Sequence, residues 1–218
     1  MEDVLSVYAR PYSKSYPVVC MDEKPFQLLD ERYQPIPMSE NNHKLKYDCE
    51  YERKGTCSIF MFTEPLAGWR YTSALPQRTR KDWANQIKLL ADQWYPKAKK
   101  IVLVMDNLNT HNISSLYETF PPEEALRLSQ RLEIHYTPKH GSWLNIAEIE
   151  LSAMSTQCLG KRRIPSIDAL NAELAAWHIN RNALQKGIDW QFTTSDARIK
   201  LRHIYPDVKI QMLNGTTI

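Results

Sequence analysis

The 218-residue chain has no long apolar segment. Its longest apolar run, IVLVM from Ile101 to Met105, has about five residues, whereas a helix that spans a bilayer needs roughly 20. The N-terminus also lacks the apolar core of a secretion signal. We therefore expect a cytoplasmic protein that makes no contact with membranes.

Cysteine is scarce and irregularly spaced. The four cysteines, Cys20, Cys49, Cys57 and Cys158, lie far apart and form no C-x-x-C pair. This spacing argues against a zinc site and against a disulfide scaffold, so we expect reduced and mostly buried thiols. Internal repeats and low-complexity segments are also absent, and the length fits one sizeable domain with its own core.

The chain has no large excess of charge of either sign, because 28 Lys and Arg residues against 25 Asp and Glu residues give a net charge of only +3. Positive residues nevertheless cluster at three places. Such clusters are typical of contacts with a phosphate backbone, and a solvated surface without a partner is the equal alternative. The clusters are Arg78, Arg80 and Lys81; Lys97, Lys99 and Lys100; and Lys161, Arg162 and Arg163.

Hydrophobic periodicity predicts an α/β chain that begins with a short helix over residues 1–8. Strands are predicted at residues 17–22, 56–64, 69–75, 101–105 and 132–137. Helices are predicted at residues 81–95, at 113–130 with a break at the Pro121-Pro122 pair, at 143–159, at 166–181 with Ser166 as N-cap, and from Thr194 or Ser195 onward. The polar residues 30–54 resemble an insertion. This order predicts a mixed sheet with helices on both faces.

Two aspartates follow apolar strands directly, Asp22 after VVCM and Asp106 after IVLVM. The carboxyl ends of central strands meet at the crevice where such sheets bind ligands, so neighbouring strands would place both carboxylates side by side. Like charges at that range repel each other unless a proton or a cation offsets the repulsion, and Mg²⁺ is the natural cation because it prefers oxygen ligands. The alternative for either aspartate alone is a cap of the following turn.

The segment HYTPKHGSWLNIAEIELSAM offers a third acid, either Glu148 or Glu150. On a helix these two glutamates lie on opposite flanks of the apolar stripe, so only one of them faces the crevice. Periodicity does not choose between them. The stripe consists of Trp143, Ala147, Leu151, Met154 and Cys158.

Four segments together resemble the catalytic domain of bacterial insertion-sequence transposases of the mariner superfamily (insertion-sequence-630 type), which use an Asp-Asp-Glu triad. They are VVCMDE, YDCEYERKGTCSIFMFTEPLAGWRY, IVLVMDNLNTH and HYTPKHGSWLNIAEIELSAM. The resemblance runs from about Val18 to Cys158 and more loosely beyond. It implies a ribonuclease-H-like fold over residues 17–218, with a mixed five-stranded sheet whose first three strands are antiparallel and with extra C-terminal helices. Residues 1–16 would form a short helix and linker.

The resemblance also implies the site. Its motif Trp-Leu-Asn-x-x-Glu matches Asn145 and Glu148, so it assigns the third catalytic role to Glu148 beside Asp22 and Asp106. These three carboxylates would hold two Mg²⁺ ions, with Mn²⁺ as a substitute, for DNA phosphodiester hydrolysis and strand transfer. Residues expected around the acids or near DNA are Asn107, Asn109, His111, His140, Ser142, Trp143 and Asn145, and phosphate contacts are expected from Lys139, Lys161, Arg162 and Arg163. Turn or cap chemistry is the alternative for Asn107, Asn109 and His111, and a core position is the alternative for Trp143.

The implied partners are double-stranded DNA, both transposon ends and target, and a second copy of the chain on that DNA. The family places a helix-turn-helix domain before the catalytic domain, yet only about twenty residues precede Asp22. We therefore expect that domain to be absent here and to lie on another segment or chain. Two other hypotheses stay open: a different ribonuclease-H-like nuclease that acts on RNA hybrids or branched DNA, and a non-catalytic DNA-binding remnant.

Overall fold

The computed structural model describes residues 1–34, 36 and 48–202. Its five strands are β1 (Val18–Glu31), β2 (Tyr51–Glu64), β3 (Trp69–Leu75), β4 (Ile101–Met105) and β5 (Leu132–Tyr136). They form one sheet in the order β3-β2-β1-β4-β5. The first three strands are antiparallel, whereas β4 runs parallel to β1 and β5 runs parallel to β4. This confirms the predicted mixed sheet.

Seven α-helices surround the sheet in the described part of the chain. They are α1 (Glu2–Tyr8), α2 (Arg80–Leu89), α3 (Ile113–Thr119), α4 (Pro122–Gln130), α5 (Ala147–Met154), α6 (Ile167–Ala183) and α7 (Thr194–Lys200). Single π-helical segments extend α2 over Leu90–Trp94 and α5 over Ser155–Leu159. The predicted N-cap of α6 is confirmed, because the Ser166 side chain accepts a hydrogen bond from the Ala169 N–H. None of the helices that the structure describes is long and apolar enough to cross a membrane.

Alternating side chains of the central strands build one core on each face of the sheet, because successive residues of a strand point to opposite faces. Cys20, Met61 and Val104 pack on one face with α1, α5, α6 and α7. Met21 and Leu103 pack on the other face with α2, α3 and α4. Helices therefore cover both faces, as predicted, and α1 is an integral part of the first core.

The first strand is longer than predicted. We expected it to end at Asp22, but β1 continues to Glu31 because β2 pairs with it along its whole length. The polar residues 30–54 are only partly a loop, since Asp30 and Glu31 pair with Glu52 and Tyr51. The remainder of that predicted insertion, residue 35 and residues 37–47, lies outside the described residues, as do residues 203–218.

The helix predicted over residues 143–159 begins later, at Ala147. Asn145 has an extended backbone (φ −79°, ψ 109°), which interrupts the helix and leaves Trp143 in a separate 3₁₀ turn, Ser142–Leu144. Trp143 is 47% exposed and packs edge-on against Phe192, so it was wrongly placed in the apolar stripe. The other four members of that stripe, Ala147, Leu151, Met154 and Cys158, are buried as predicted.

All four cysteines are free thiols, and three of them, Cys20, Cys57 and Cys158, are buried. Burial raises the pKa of Cys20 to about 12, although hydrogen bonds to Tyr8 and Ile146 lower it in part. This thiol therefore stays neutral at physiological pH. The prediction of mostly buried thiols is confirmed.

Candidate active site

The register between β1 and β4 brings Asp22 and Asp106 together. Val18 lies opposite Val102 and Cys20 lies opposite Val104, and the same offset two positions further places Asp22 opposite Asp106. Because β4 ends at Met105, Asp106 is the first residue beyond it. Asp22 lies inside β1 rather than at its end, at the point where β1 loses β4 as a neighbour and keeps only β2.

Glu148 reaches the same place from α5. The Asn145 amide donates a hydrogen bond of 2.8 Å to the Met21 carbonyl, and its side-chain oxygen accepts one of 3.2 Å from the Ala147 N–H. Asn145 is buried, so these bonds fasten the start of α5 to β1 one residue before Asp22. The exposed Glu148, in the first turn of α5, therefore lies beside Asp22.

The pKa of Asp22 reflects the closeness of other acids. Burial and the negative charges of Asp106, Glu148 and Glu23 together raise the pKa of Asp22 to about 7, and only the hydrogen bond from the Glu23 N–H opposes them. Asp22, Glu23 and Glu148 also line one open cavity of about 360 Å³. A proton or a bound cation at this cavity would relieve the repulsion.

The donor set has the chemistry of a divalent-metal site without a closed geometry. Over residues 1–34, 36 and 48–202, no three His, Cys, Asp or Glu side chains are gathered closely enough to hold a metal ion. Asp106 and Glu148 nevertheless lie close enough to Asp22 for their negative charges to raise its pKa. Hard oxygen donors with uncompensated negative charge are what Mg²⁺ and Mn²⁺ bind, so these residues fit such ions by donor type and charge.

His111 connects Asp106 to a second acid. Its Nδ1 lies 2.5 Å from Asp106 Oδ1 and its Nε2 lies 3.0 Å from Glu23 Oε1, and its side chain has no exposure. Burial lowers the pKa of His111, but the hydrogen bonds and charges of both carboxylates outweigh burial and raise it to about 9. The protonated imidazole therefore donates from both nitrogens. The His111 side chain therefore bridges two acids. A role in a turn or a helix cap, the alternative considered from the sequence, does not account for this bridge.

The second glutamate of α5 faces the protein interior. Glu150 has no exposed surface. It accepts hydrogen bonds from Arg181 Nε at 2.7 Å and from Arg70 Nη2 at 3.2 Å, and Arg70 is itself fully buried. Arg70 on β3 and Arg181 on α6 therefore neutralise the charge of Glu150 at a place away from Asp22. Burial of Glu150 and exposure of Glu148 favour Glu148 as the acid of the crevice.

Several other predicted site residues lie on the two loops that follow β4 and β5. Because β4 and β5 are parallel, these loops emerge at the same edge of the sheet as Asp106. All six of these side chains are exposed. They are Asn107 and Asn109 after β4, and Lys139, His140, Ser142 and Trp143 after β5.

The cluster of Lys161, Arg162 and Arg163 lies at a different place. Arg163 pairs with Glu31 and donates hydrogen bonds to the backbone carbonyls of residues 48 and 50, while Arg162 pairs with Glu173. Glu31 is nine residues beyond Asp22 along β1, which corresponds to roughly 30 Å at the rise of a strand. Arg163 therefore holds structure together at the far end of β1, whereas Arg162 pairs with α6, and the contact of either arginine with DNA stays a prediction.

Two residues that support the site were not expected from the sequence. Glu23 was overlooked because only Asp22 directly follows the apolar run VVCM and matches the transposase motif. Tyr8 was overlooked because no motif marks it. Its hydroxyl donates a hydrogen bond of 2.8 Å to the Leu144 carbonyl and thereby ties α1 to the segment before α5.

The raised pKa of Asp22 predicts a pH dependence of stability in the metal-free protein. Its ordinary value is 3.8 and its folded value is about 7, so the fold favours the protonated form. The stabilisation is complete below about pH 4 and is lost as the pH rises through 7. In EDTA, we expect the wild-type melting temperature to fall between pH 5 and pH 8 more than that of Asp22→Asn, and we expect the variant to melt higher at pH 8. Equal pH profiles for the two proteins would contradict the assignment.

Comparisons with known proteins agree with the fold of the chain. The family described as DDE superfamily endonuclease matches residues 17–171. No sequence among the curated proteins matches the chain.

Solved structures with a similar fold include the Mos1 mariner paired end complex with Mn (TM-score 0.55, 14% identity, 84% of this chain and 54% of that chain). They also include the Mos1 strand transfer complex (TM-score 0.56, 14% identity, 84% of this chain and 53% of that chain). A third is the Mos1 paired end complex with Mg (TM-score 0.50, 14% identity, 84% of this chain and 56% of that chain). The chain thus spans about half the length of these structures. At this identity the likeness shows the ribonuclease-H-like transposase fold.

Proposed function

Because this chain belongs to the DDE superfamily of endonucleases, we propose that it is the catalytic domain of a DNA transposase of the bacterial insertion-sequence branch of the mariner superfamily. The observation that carries the proposal is the crowding of Asp22, Asp106 and Glu148. Two of these acids raise the pKa of the third, on top of the effect of burial. Such unrelieved repulsion at a sheet edge is typical of a site that binds cations.

In this proposal the three carboxylates hold Mg²⁺, or Mn²⁺ in its place, as two ions. The Mos1 structures of the same fold contain Mn in one case and Mg in another, which supports this choice of cation. Bound ions supply activation of a water molecule or a DNA 3′-hydroxyl and stabilisation of the leaving oxygen.

Residues of the sheet, of α5 and of the loop after β4 are proposed to hold the three carboxylates in position. Asp22 and Asp106 present their carboxylates from adjacent strands, which fixes their spacing. Asn145 holds α5 against β1 and so fixes Glu148 relative to Asp22. His111 forms a hydrogen bond with one carboxylate oxygen of Asp106. A carboxylate set held by a sheet and a docked helix is already oriented before the substrate arrives, which lowers the cost of reaching the transition state.

The exposed loops after β4 and β5 are proposed to contact the DNA. Lys139 is suited to a phosphate, which positions the strand without reading its sequence. The exposed indole of Trp143 is suited to stacking on an unpaired base at a cut end. Asn107, Asn109, His140 and Ser142 supply polar contacts at the same edge.

The partners are proposed from the same resemblance. We expect double-stranded DNA, as transposon ends and as target, with two copies of the chain assembled on it in the cytoplasm. Recognition of the element's ends would come from a DNA-binding domain on another segment or chain. The Mos1 structures are complexes with transposon ends or strand transfer products, and this chain spans about half of their length.

A nicking assay tests the proposal. The chain is incubated with supercoiled plasmid and Mn²⁺ or Mg²⁺, and separately with a short duplex that has a free 3′-hydroxyl end and a target plasmid. We expect relaxed plasmid and joined product with either cation, and neither product in EDTA, because the carboxylates alone do not activate water. The matched control is Asp106→Asn, which we expect to lose both activities and most of the Mn²⁺ affinity.

Other outcomes identify the competing functions. Faster cleavage of an RNA–DNA hybrid or a branched duplex than of plasmid would indicate another ribonuclease-H-like nuclease. Binding of DNA with no uptake of Mn²⁺ by calorimetry would indicate a non-catalytic remnant. Either result would overturn the transposase assignment.

A further inference from the structure

Glu23 is a buried acid that the proposed chemistry does not use. Its side chain is only 2% exposed, although it directly follows Asp22. Its Oε1 lies 3.0 Å from His111 Nε2. Its Oε2 is buried without a hydrogen-bond partner and lies 3.8 Å from the guanidinium of Arg78, which is half exposed. Burial of a carboxylate with one unsatisfied oxygen is costly, so the position calls for an explanation.

His111 lies between Glu23 and Asp106 and contacts both. Because β4 ends at Met105, the loop that follows it folds back over the strand end and brings His111 between the two acids. The Tyr136 hydroxyl donates a hydrogen bond of 2.8 Å to the His111 carbonyl and thereby holds the backbone of this residue. His111 is thus held at its backbone carbonyl and at both ring nitrogens.

We infer that Glu23 is a positioning residue, which acts through His111 to fix the Asp106 carboxylate with one oxygen committed to the imidazole and the other left for a ligand. The geometry provides the reason. Without a charged acceptor at Nε2, the hydrogen bond that orients the imidazole is weaker, and Asp106 becomes free to turn its oxygens away from Asp22. This inference rests on the proposed function, because the ligand in question is the divalent cation.

The first test is the Mn²⁺ affinity of Glu23→Gln, measured by calorimetry on the full chain. Loss of a group that orients a metal ligand typically weakens metal affinity by about 10- to 100-fold, and we expect a change in that range. The matched control is Glu133→Gln. Glu133 lies 3.0 Å from His135, and His135 lies 2.8 Å from Asp3, so this array has the same chemistry on another part of the surface. We expect the control to stay within about twofold of wild type.

Two substitutions of His111 separate its two bonds. The amide nitrogen of an asparagine side chain lies near the position of Nδ1, so His111→Asn retains the hydrogen bond to Asp106. The longer glutamine places its amide near Nε2, so His111→Gln retains only the bond to Glu23. We expect His111→Asn to lose Mn²⁺ affinity to about the same extent as Glu23→Gln, because both break the connection to Glu23, and His111→Gln to lose at least as much, because it removes the bond to Asp106 itself.

The double variant Glu23→Gln/His111→Asn shows whether Glu23 acts through His111. We expect it to bind Mn²⁺ no more weakly than His111→Asn alone, because the connection is already broken. Losses that multiply would mean that Glu23 touches the cation itself, and that result would overturn the inference. An effect of Glu23→Gln no larger than that of Glu133→Gln would also overturn it.

A second readout needs no metal. The ¹³C carboxyl signal of Asp106 in the metal-free chain should shift in Glu23→Gln and in His111→Gln, but not in Glu133→Gln. If wild type binds no Mn²⁺ while this signal shifts as expected, the proposed function fails and the positioning role of Glu23 stands. If wild type binds Mn²⁺ and the signal does not respond, only the role of Glu23 fails.

Discussion

Glu148→Gln is expected to reduce Mn²⁺-dependent nicking by at least about a thousandfold while the protein stays folded. Removal of one carboxylate from the crevice weakens cation binding and the stabilisation of charge in the transition state, an effect of several kcal/mol, and each 1.36 kcal/mol corresponds to about tenfold in rate. The exposed position of Glu148 in the first turn of α5 means that little packing is lost. Nicking rates and circular dichroism of both proteins check the two parts of the prediction.

The matched control is Glu123→Gln, since Glu123 is also an exposed acid in the first turn of a helix, α4, on the opposite side of the sheet. This variant should nick DNA at the wild-type rate. A Glu148→Gln protein that retains more than about a tenth of wild-type activity would remove Glu148 from the catalytic set. The resemblance to the transposase motif would then have misassigned this position.

Glu150→Ala is expected to lower the free energy of unfolding by about 3 to 5 kcal/mol. Loss of one partner from a buried ion pair leaves an uncompensated charge in the interior, here the guanidinium of Arg70 with no exposed surface. For a domain of this size the corresponding fall in melting temperature is about 10 °C. Urea and thermal unfolding in EDTA measure it without interference from metal binding.

An exposed ion pair provides the comparison. Glu118 pairs with Arg80, and both side chains are more than 40% exposed, so Glu118→Ala should leave the melting temperature within about 2 °C of wild type. If Glu150→Ala also melts within 2 °C of wild type, the ion pairs of Glu150 with Arg70 and Arg181 contribute no stability. Loss of activity in Glu150→Ala does not by itself indicate a catalytic role, because Glu150 holds the helix that carries Glu148 and its loss is expected to destabilise the fold.

The two glutamates of α5 therefore have opposite roles although only one residue separates them. Glu150 joins α5 to β3 and α6 through Arg70 and Arg181. Glu148 lies in the crevice beside Asp22. The buried ion pairs of Glu150 hold the helix that carries Glu148, so a stable interior contact sets the position of an exposed acid.

Local patterns predicted much of the fold. The β4 run of five apolar residues was placed at its observed bounds, because a strand buried on both faces reads as a continuous apolar segment. The helix break near Pro121 and the Ser166 N-cap were predicted from side chains that act within three residues of themselves. Asp106 was recognised for the same reason, since it directly follows the buried run.

The end of β1 and the start of α5 were predicted incorrectly, because both depend on partners remote in sequence. The apolar run of β1 stops at Met21, yet hydrogen bonds from β2 carry the strand on to Glu31. The apolar stripe of α5 includes Trp143, yet the Asn145 amide bonds to the Met21 carbonyl and breaks the helix at that point. Hydrophobic periodicity reports burial and does not report which backbone groups find partners.

The sequence by itself determined the apolar runs of the central strands, the aspartate that directly follows each run and the helix that brings a third acid, since these depend on apolar runs and caps a few residues long. Only the tertiary structure decided which glutamate of α5 enters the core, and it did so by supplying Arg70 and Arg181 as charged partners. It also decided that Glu23 and Asp106 meet at His111, 88 and 5 residues away along the chain. Pairings of buried charges depend on which distant side chains share a low-dielectric interior, and no local pattern encodes that proximity.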